Sequence, residues 1–133
     1  MRTLSLTLLM IAYIIPSCKK TSNYLPIQDG TYTGTFQRLS TAGGKISKVT
    51  IHFSGNNWTG ESEIAKYPAL CYGSFKLNGS DSIHFGSDCA WTAEFDWSLI
   101  LSQDYKIKIS GNNLEISRNY AGLYQDLYKL TRQ

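Results

Sequence analysis

The chain has 133 residues, with 13 lysines and arginines against 10 aspartates and glutamates, and a formal net charge of +3 at pH 7. This length accommodates one domain with one hydrophobic core. The lysines are scattered rather than clustered, and because a nucleic-acid partner normally requires a basic patch or stripe, the composition argues against nucleic-acid binding.

The N-terminal segment has the pattern of an export signal. Arg2 precedes a mainly apolar run, "LSLTLLMIAYII", at positions 4–15. A helix that spans a bilayer needs roughly 20 apolar residues, so this run is too short to span and has the length of a signal peptide. We therefore assign residues 1–17 to a signal peptide and expect the rest of the chain in an oxidising compartment.

The signal ends in "IPSC", residues 15–18. This tetrapeptide resembles the lipobox of bacterial lipoproteins, in which an aliphatic residue stands three positions before a cysteine. The resemblance implies cleavage before Cys18, lipidation of Cys18 and attachment to a membrane of the cell envelope. Lys19 differs from the aspartate that retains some lipoproteins in the inner membrane, which favours the outer membrane. The alternative is an ordinary signal peptide with an incidental cysteine.

Lipidation of Cys18 would resolve the odd number of cysteines. Of the three in the chain, Cys71 and Cys89 would remain as a pair. In an oxidising compartment this pair predicts a disulfide, which contributes roughly 3 kcal/mol through the loop that it closes. A two-cysteine metal site is the alternative, but no histidine lies near either cysteine at ligand spacing. We expect no metal and no cofactor.

Residues 18–29 have the composition of a polar tether, and the signal after them is almost wholly β. Short alternating runs are separated by clusters of glycine and asparagine, which are typical of hairpin turns. The predicted strands are 31–38, 46–54, 58–63, 70–77, 82–85, 91–101, 105–110, 114–119 and 124–132. The pattern predicts an all-β domain over residues 30–133, an antiparallel up-and-down barrel or a sandwich with about eight to ten strands.

The segment 91–101, "WTAEFDWSLIL", has apolar residues at odd positions and polar residues at even positions, with Ile100 as the exception. A period of two favours a strand over a helix. The prediction therefore turns Trp91 and Trp97 toward the core.

The two ends of the predicted domain resemble lipocalin-like barrels. "GTYTG", residues 30–34, opens the first strand, and Arg132 shares a face of the last strand with Tyr128. Lipocalin-like barrels begin with Gly-x-Trp and pack an arginine of the last strand over that tryptophan; here Tyr32 stands in its place. The resemblance implies that Gly30, Tyr32 and Arg132 pack together at a closed end. Residues 28–133 resemble small lipocalin-like lipoproteins of diderm bacteria.

Three glycines, Gly34, Gly60 and Gly73, fall on the inward side of their strands. They have two interpretations: points where strongly curved strands bend, or room for a ligand beside aromatic walls. The second predicts a cavity for a small apolar or amphipathic ligand. Its candidate lining residues are Tyr32, Gly34, Phe36, Trp58, Gly60, Gly73, Phe75 and Trp97.

The alternative function is a surface structural, interaction or inhibitor protein with a filled barrel and no ligand. Six aromatic residues near predicted strand ends or loops are available for it: Tyr67, Tyr72, Trp91, Trp97, Tyr120 and Tyr124. Exposed aromatic side chains stack on sugars or anchor a protein partner, although the alternation in 91–101 favours core positions for the two tryptophans. The identity of a protein partner stays open.

No catalytic motif accompanies these features. The sequence has no G-x-S-x-G elbow, no zinc-ligand spacing and no phosphate-binding glycine loop. Paired carboxylates such as Glu94 and Asp96 alternate with apolar residues, which predicts solvated faces. We therefore expect no enzymatic activity.

Overall fold

A computed structural model of the chain describes residues 26–133. It contains eight β-strands and one short 3₁₀ helix, and within this range no helix is long and apolar enough to cross a membrane. The strands are β1 (Gly30–Leu39), β2 (Ile46–Ser54), β3 (Asn57–Ser62), β4 (Tyr72–Leu77), β5 (Ser82–Phe85), β6 (Gln103–Ser110), β7 (Asn113–Tyr120) and β8 (Tyr124–Arg132).

Each strand pairs antiparallel with the next, and β8 pairs with β1, so the sheet closes into an up-and-down barrel. The predicted fold class is confirmed, and the overall shape is consistent with a lipocalin-like barrel. Because the strands alternate in direction, the connections fall into two groups. Loops 40–45, 63–71, 86–102 and 121–123 lie at one end, the long-loop end. The hairpin turns of β2–β3, β4–β5 and β6–β7 lie at the other, the turn end, where the chain also enters β1.

The barrel interior is filled with aromatic side chains. Their buried rings are Tyr32, Phe36, Phe53, Trp58, Phe75, Phe85, Tyr105 and Tyr128. Neighbouring rings lie 4.7–6.5 Å apart between centroids, and these contacts join all of them into one continuous set. Most contacts are edge-on or tilted, as the quadrupole of an aromatic ring favours.

Two inward glycines are required by the close approach of neighbouring backbone. A Cβ atom at Gly34 would overlap the carbonyl group of Lys129 on β8, and one at Gly73 would overlap that of Gly86. The Gly86 carbonyl also accepts a hydrogen bond of 3.0 Å from the indole of Trp58. Protein backbone therefore occupies the space that these glycines leave beside the aromatic residues, which supports a mechanical role for them.

The prediction of a strand at 91–101 is wrong. This segment belongs to the long loop between β5 and β6, and Trp97–Leu99 form the 3₁₀ turn. Asp96 caps that turn, since its carboxylate accepts a hydrogen bond from the backbone N–H of Ser98. β5 and β6 are already paired directly with each other, and a closed barrel offers no free edge that the segment could join.

The predicted disulfide is present. Cys71 and Cys89 are joined, with their Cα atoms 6.5 Å apart and 18 positions apart in sequence. The bridge links the residue before β4 to the 86–102 loop. It therefore holds the first part of that loop against the barrel wall.

Replacing both cysteines, Cys71→Ser with Cys89→Ser, is expected to lower the free energy of unfolding by about 3 kcal/mol. The reason is that a cross-link closing a loop of this length removes conformational entropy from the unfolded chain. Urea denaturation of the full chain would measure the change. Dithiothreitol serves as the control, because it should destabilise the native protein by a similar amount and leave the double variant unchanged. An equal effect of the reductant on both proteins would contradict the prediction.

Candidate functional site

A buried ion pair lies at the long-loop end, where β1 and β8 are paired. Nε of Arg38 lies 2.6 Å from Oδ1 of Asp126, and Nη2 of Arg38 donates to Oδ2 of Asp126 at 2.8 Å. The side chains are 12% and 1% exposed. Burial by itself lowers the pKa of Arg38, but the hydrogen bonds and charge of Asp126 outweigh burial, so the pKa of Arg38 is raised. The guanidinium and the carboxylate therefore form a bidentate, charge-assisted contact.

The 86–102 loop supplies the remaining partners of this arginine. Nη1 of Arg38 donates to Oδ2 of Asp96 at 2.8 Å and to Oγ of Ser98 at 2.9 Å. Nη2 also donates to the carbonyl oxygen of Ser98 at 3.1 Å. One guanidinium group thus fastens the loop to the barrel wall.

Two tyrosines flank the ion pair. The guanidinium carbon of Arg38 lies 4.2 Å from the ring centroid of Tyr124 and 5.3 Å from that of Tyr120. The Tyr120 hydroxyl donates a 3.0 Å hydrogen bond to the carbonyl oxygen of Ser98. Burial is the main cause that raises the pKa of Tyr120. At neutral pH this hydroxyl is therefore a neutral hydrogen-bond donor.

A second arginine, Arg118, lies beside the pair on β7. Its guanidinium carbon lies 4.7 Å from the ring centroid of Tyr120 and 5.7 Å from that of Tyr105. It donates to the carbonyl oxygen of Ser102 at 3.3 Å and to Oε1 of Gln103 at 2.7 Å. A surface cleft of about 340 Å³ opens here. Trp97, Ser98, Ser102, Gln103, Arg118 and Tyr120 line it.

The 86–102 loop also carries three aromatic residues at the surface, which we call the aromatic loop surface: Trp91, Phe95 and Trp97. The Phe95 ring lies 5.5 Å from that of Trp91 and 6.4 Å from that of Trp97, between centroids. The indole of Trp91 donates to Ser87, and that of Trp97 donates to the carbonyl oxygen of Thr92 at 3.1 Å. Trp97 is 55% exposed. These rings are thus held in fixed positions while part of their surface faces solvent.

The structure separates the residues that the sequence grouped as a cavity lining. Trp97 is exposed on the long loop, so its predicted inward position is wrong, because the alternation that suggested it belongs to a loop. The other members face the barrel interior: Tyr32, Gly34, Phe36, Trp58, Gly60, Gly73 and Phe75. Their aromatic rings are buried against other rings, and a Cβ atom at Gly60 would lie 3.3 Å from Leu70.

Gly30, Tyr32 and Arg132, the three residues that the lipocalin-like resemblance grouped, lie at the turn end of the barrel. Arg132 pairs with Tyr32 across β1 and β8, and its guanidinium donates twice to the carbonyl oxygen of Asp29, at 2.8 and 3.1 Å. A Cβ atom at Gly30 would lie 3.1 Å from that guanidinium group. The Tyr32 hydroxyl donates to the carbonyl oxygen of Gln28. The last residues of the predicted tether are therefore fastened to the barrel.

In the part of the chain that the structure describes, the side chains do not form a candidate metal centre. Within residues 26–133, no group of three or more histidines, cysteines or carboxylates is placed to hold a metal ion. The two cysteines of this range are joined to each other, and the carboxylates of Asp96 and Asp126 bind Arg38. Binding through hydrogen bonds, charge and aromatic stacking is the chemistry that this end of the barrel offers.

The carboxyl group of Asp96 is expected to titrate below its usual pKa of 3.8, chiefly because the Ser98 hydroxyl donates to the ionised form. A group whose pKa is depressed by folding adds stability above its unfolded pKa, and that stability is lost as the pH falls through the folded pKa. NMR titration should show the Asp96 pKa rising toward 3.8 in Ser98→Ala. An unchanged pKa in this variant would assign the effect to Arg38 instead.

The charged residues of this site were not identified from the sequence, although a signal was present. Asp126 shares the inward side of its strand with Tyr128 and Leu130, and Arg118 shares one with Leu114. Charged side chains at inward positions of neighbouring strand ends require partners, since a buried, unpaired charge is costly. That requirement would have predicted a charged cluster at this end of the barrel.

No family model, curated protein or solved structure matches this chain.

Proposed function

We propose that this protein is an envelope-anchored recognition module, a lipocalin-like barrel that binds an external partner through the aromatic loop surface and the adjoining cleft. The carrying observation is a contrast in the aromatic residues. Those inside the barrel are buried against one another, whereas those of the 86–102 loop present partly exposed rings, and Trp97 among them lines the same cleft as Arg118.

The filled interior favours this function over an internal apolar ligand. Phe53, which is fully buried, contacts three other rings, with centroids 5.2–6.5 Å apart: Tyr32, Phe75 and Phe85. A drug-sized ligand needs roughly 300 Å³ of pocket, and these side chains would have to move to provide it. In this function, the packed barrel interior keeps the long-loop end in one conformation.

The aromatic loop surface has the features of a recognition surface. Exposed aromatic rings that are already fixed lose little conformational entropy on binding. Trp97 is held by Thr92, and Lys66 lies with its amino group 4.9 Å from the ring centroid of Phe95. The disulfide and Arg38 hold the two parts of the same loop on the barrel. Aromatic rings that are already positioned among polar groups are suited to binding a partner at the outer surface of the barrel.

The surface part of the proposal is tested with full-length protein immobilised in detergent. Solubilised envelope material from the cells that produce the protein would be passed over it, and the retained mass measured by biolayer interferometry. Trp97→Ala is expected to reduce apparent affinity about tenfold or more, as for other exposed aromatic anchors. Tyr72→Ala is the matched control, since Tyr72 is 54% exposed on the outer face of β4. Equal retention by both variants would contradict the proposal.

The interior part is tested with N-phenyl-1-naphthylamine, an apolar probe that fluoresces when it is bound in an apolar pocket. The full chain is expected to show no saturable fluorescence increase at micromolar probe. Saturable binding that Phe36→Ala strengthens and Trp97→Ala leaves unchanged would favour a ligand inside the barrel and overturn the filled-barrel function.

The anchor rests on the lipobox-like "IPSC" ending at Cys18, which lies outside the described residues. We propose lipidation of Cys18 and placement in the outer membrane of a diderm bacterium, as in the small lipocalin-like lipoproteins that the chain resembles. Cys18→Ser is expected to move the protein from the membrane fraction to the soluble fraction, because the acyl chains supply the membrane affinity. Continued sedimentation of this variant with membranes would overturn the anchor.

A further inference from the structure

The cleft between the 86–102 loop and β7 combines an aromatic platform with an arginine. Trp97 and Arg118 both line it, together with Ser102 and Gln103. Its volume of about 340 Å³ lies within the range of small-ligand sites. Such a combination recognises a ligand that has an apolar face, hydroxyl groups and a negative charge.

The indole of Trp97 is placed as a stacking surface. Its Nε1 donates to the carbonyl oxygen of Thr92 at 3.1 Å, and the Phe95 ring supports it with an interplanar angle of 32°. More than half of the residue stays exposed. An aromatic face that is fixed and open complements the C–H face of a pyranose ring, whereas the hydroxyl and amide groups of Ser102 and Gln103 suit the hydroxyl groups of the sugar.

Arg118 carries the positive charge of the cleft. Asp126 is its cross-strand partner, but both carboxylate oxygens of Asp126 are bound by Arg38. Within residues 26–133, no carboxylate oxygen lies within 4.0 Å of the Arg118 guanidinium. Its bonds to Ser102 and Gln103 use two of the five N–H donors of a guanidinium group. The remaining donors are suited to a carboxylate, which arginine binds with two parallel hydrogen bonds.

We propose that this cleft binds a saccharide that carries a carboxylate, with a sugar ring on Trp97 and the carboxylate on Arg118. This inference rests on the proposed function, since it names the class of partner that the loop end recognises. The rings of Tyr105 and Tyr120 contact the guanidinium, which also donates to Ser102 and Gln103, so the carboxylate meets a charge that is already positioned. A uronic-acid polymer or an acidic surface glycan has this chemistry.

The test is isothermal titration of the full-length protein in detergent with tetragalacturonic acid, neutral galactotetraose and glutarate. The acidic tetrasaccharide should bind about tenfold tighter than the neutral one, which corresponds to the 1.4 kcal/mol of a charge-assisted contact. Arg118→Gln should remove this preference, and Trp97→Ala should weaken both saccharides. Lys108→Gln is the control for charge, because Lys108 is exposed on the outer face of β6 and its loss changes the net charge equally.

Arg118→Lys keeps the charge and loses the forked geometry, so it serves if Arg118→Gln does not fold; it should lower the affinity for the acidic tetrasaccharide severalfold. Equal affinities for the two saccharides, equal effects of Arg118→Gln and Lys108→Gln, or binding of glutarate as tight as that of the acidic saccharide would overturn the inference. If neither saccharide binds, but Trp97→Ala still weakens the retention of envelope material relative to the native protein, this inference is overturned and the proposed function stands.

Discussion

Replacing Asp126 by alanine is expected to lower the free energy of unfolding by about 4 kcal/mol, the largest loss expected from a polar substitution in this barrel. The carboxylate is 1% exposed and binds Arg38 through both oxygens. Its removal leaves a mostly buried guanidinium paired with the exposed carboxylate of Asp96, and desolvation of that charge is no longer compensated. Urea denaturation of the full chain, monitored by far-UV circular dichroism, would measure the change.

Two controls separate the buried pair from ordinary surface charge. Arg38→Met combined with Asp126→Leu should recover much of the loss, because it removes both charges and keeps the apolar volume. Asp81→Asn breaks the exposed pair with Lys106, whose side chains are 67% and 71% exposed, and should cost less than about 1 kcal/mol. A double variant less stable than Asp126→Ala would contradict this account and assign stability to the charges themselves.

Replacing Phe53 by alanine is expected to cost about 4 kcal/mol, comparable to the loss of the ion-pair carboxylate. Phe53 is fully buried on β2 and meets Tyr32 and Phe75 edge-on, so truncation leaves a cavity that a closed barrel of paired strands does not easily collapse into. Thermal and urea unfolding would both report the loss.

The matched variant for Phe53→Ala is Tyr72→Ala, which removes a similar ring from the solvent side of β4 and should change stability by less than about 1 kcal/mol. The truncated interior should also bind benzene, since an apolar cavity stays dry and accepts apolar molecules. A small loss in the free energy of unfolding for Phe53→Ala, together with tight benzene binding by the native chain, would show that the interior is already hollow.

The hairpins of the barrel were the part most accessible to sequence reasoning. The predicted strands 46–54, 82–85 and 124–132 coincide with β2, β5 and β8. Alternation is reliable in such strands because one face is buried and the other meets solvent. The two "GNN" turns use the positive φ that glycine tolerates, at Gly55 and Gly111. In these segments, the conformations that the residues favour locally are the ones that the barrel requires.

The 86–102 loop was not predictable from the same signal. Its aromatic and polar residues alternate as they would in a strand, but the structure uses them for local hydrogen bonds and ring contacts, as at Trp91 and Asp96. Whether an alternating segment joins a sheet depends on a free edge, and closure of the barrel removes every edge. Closure is a property of the complete set of strands, so no single segment carries it.

The candidate site required distances that only the closed barrel provides. Arg38 lies 88 positions before Asp126 in the chain, and the pairing of β1 with β8 brings the two together. Arg118 lies opposite Asp126 in the β7–β8 hairpin. Each one occupies an inward position near a strand end, which sequence parity indicates. Which of these charged residues become neighbours is known only once the order of the strands in the barrel is known.

The opposite placement of chain entry and long loops gives the molecule a direction. The chain enters the barrel at Gly30, beside Arg132, whereas Arg38 and Trp97 lie at the other end of the same wall. A strand of this length, tilted as barrel strands are, spans roughly 25 Å along the axis. With a lipid on Cys18, the membrane anchor would join the barrel at the end opposite the aromatic loop surface. That surface would then lie about one barrel length from where the tether enters the barrel, and it would face molecules that never touch the bilayer.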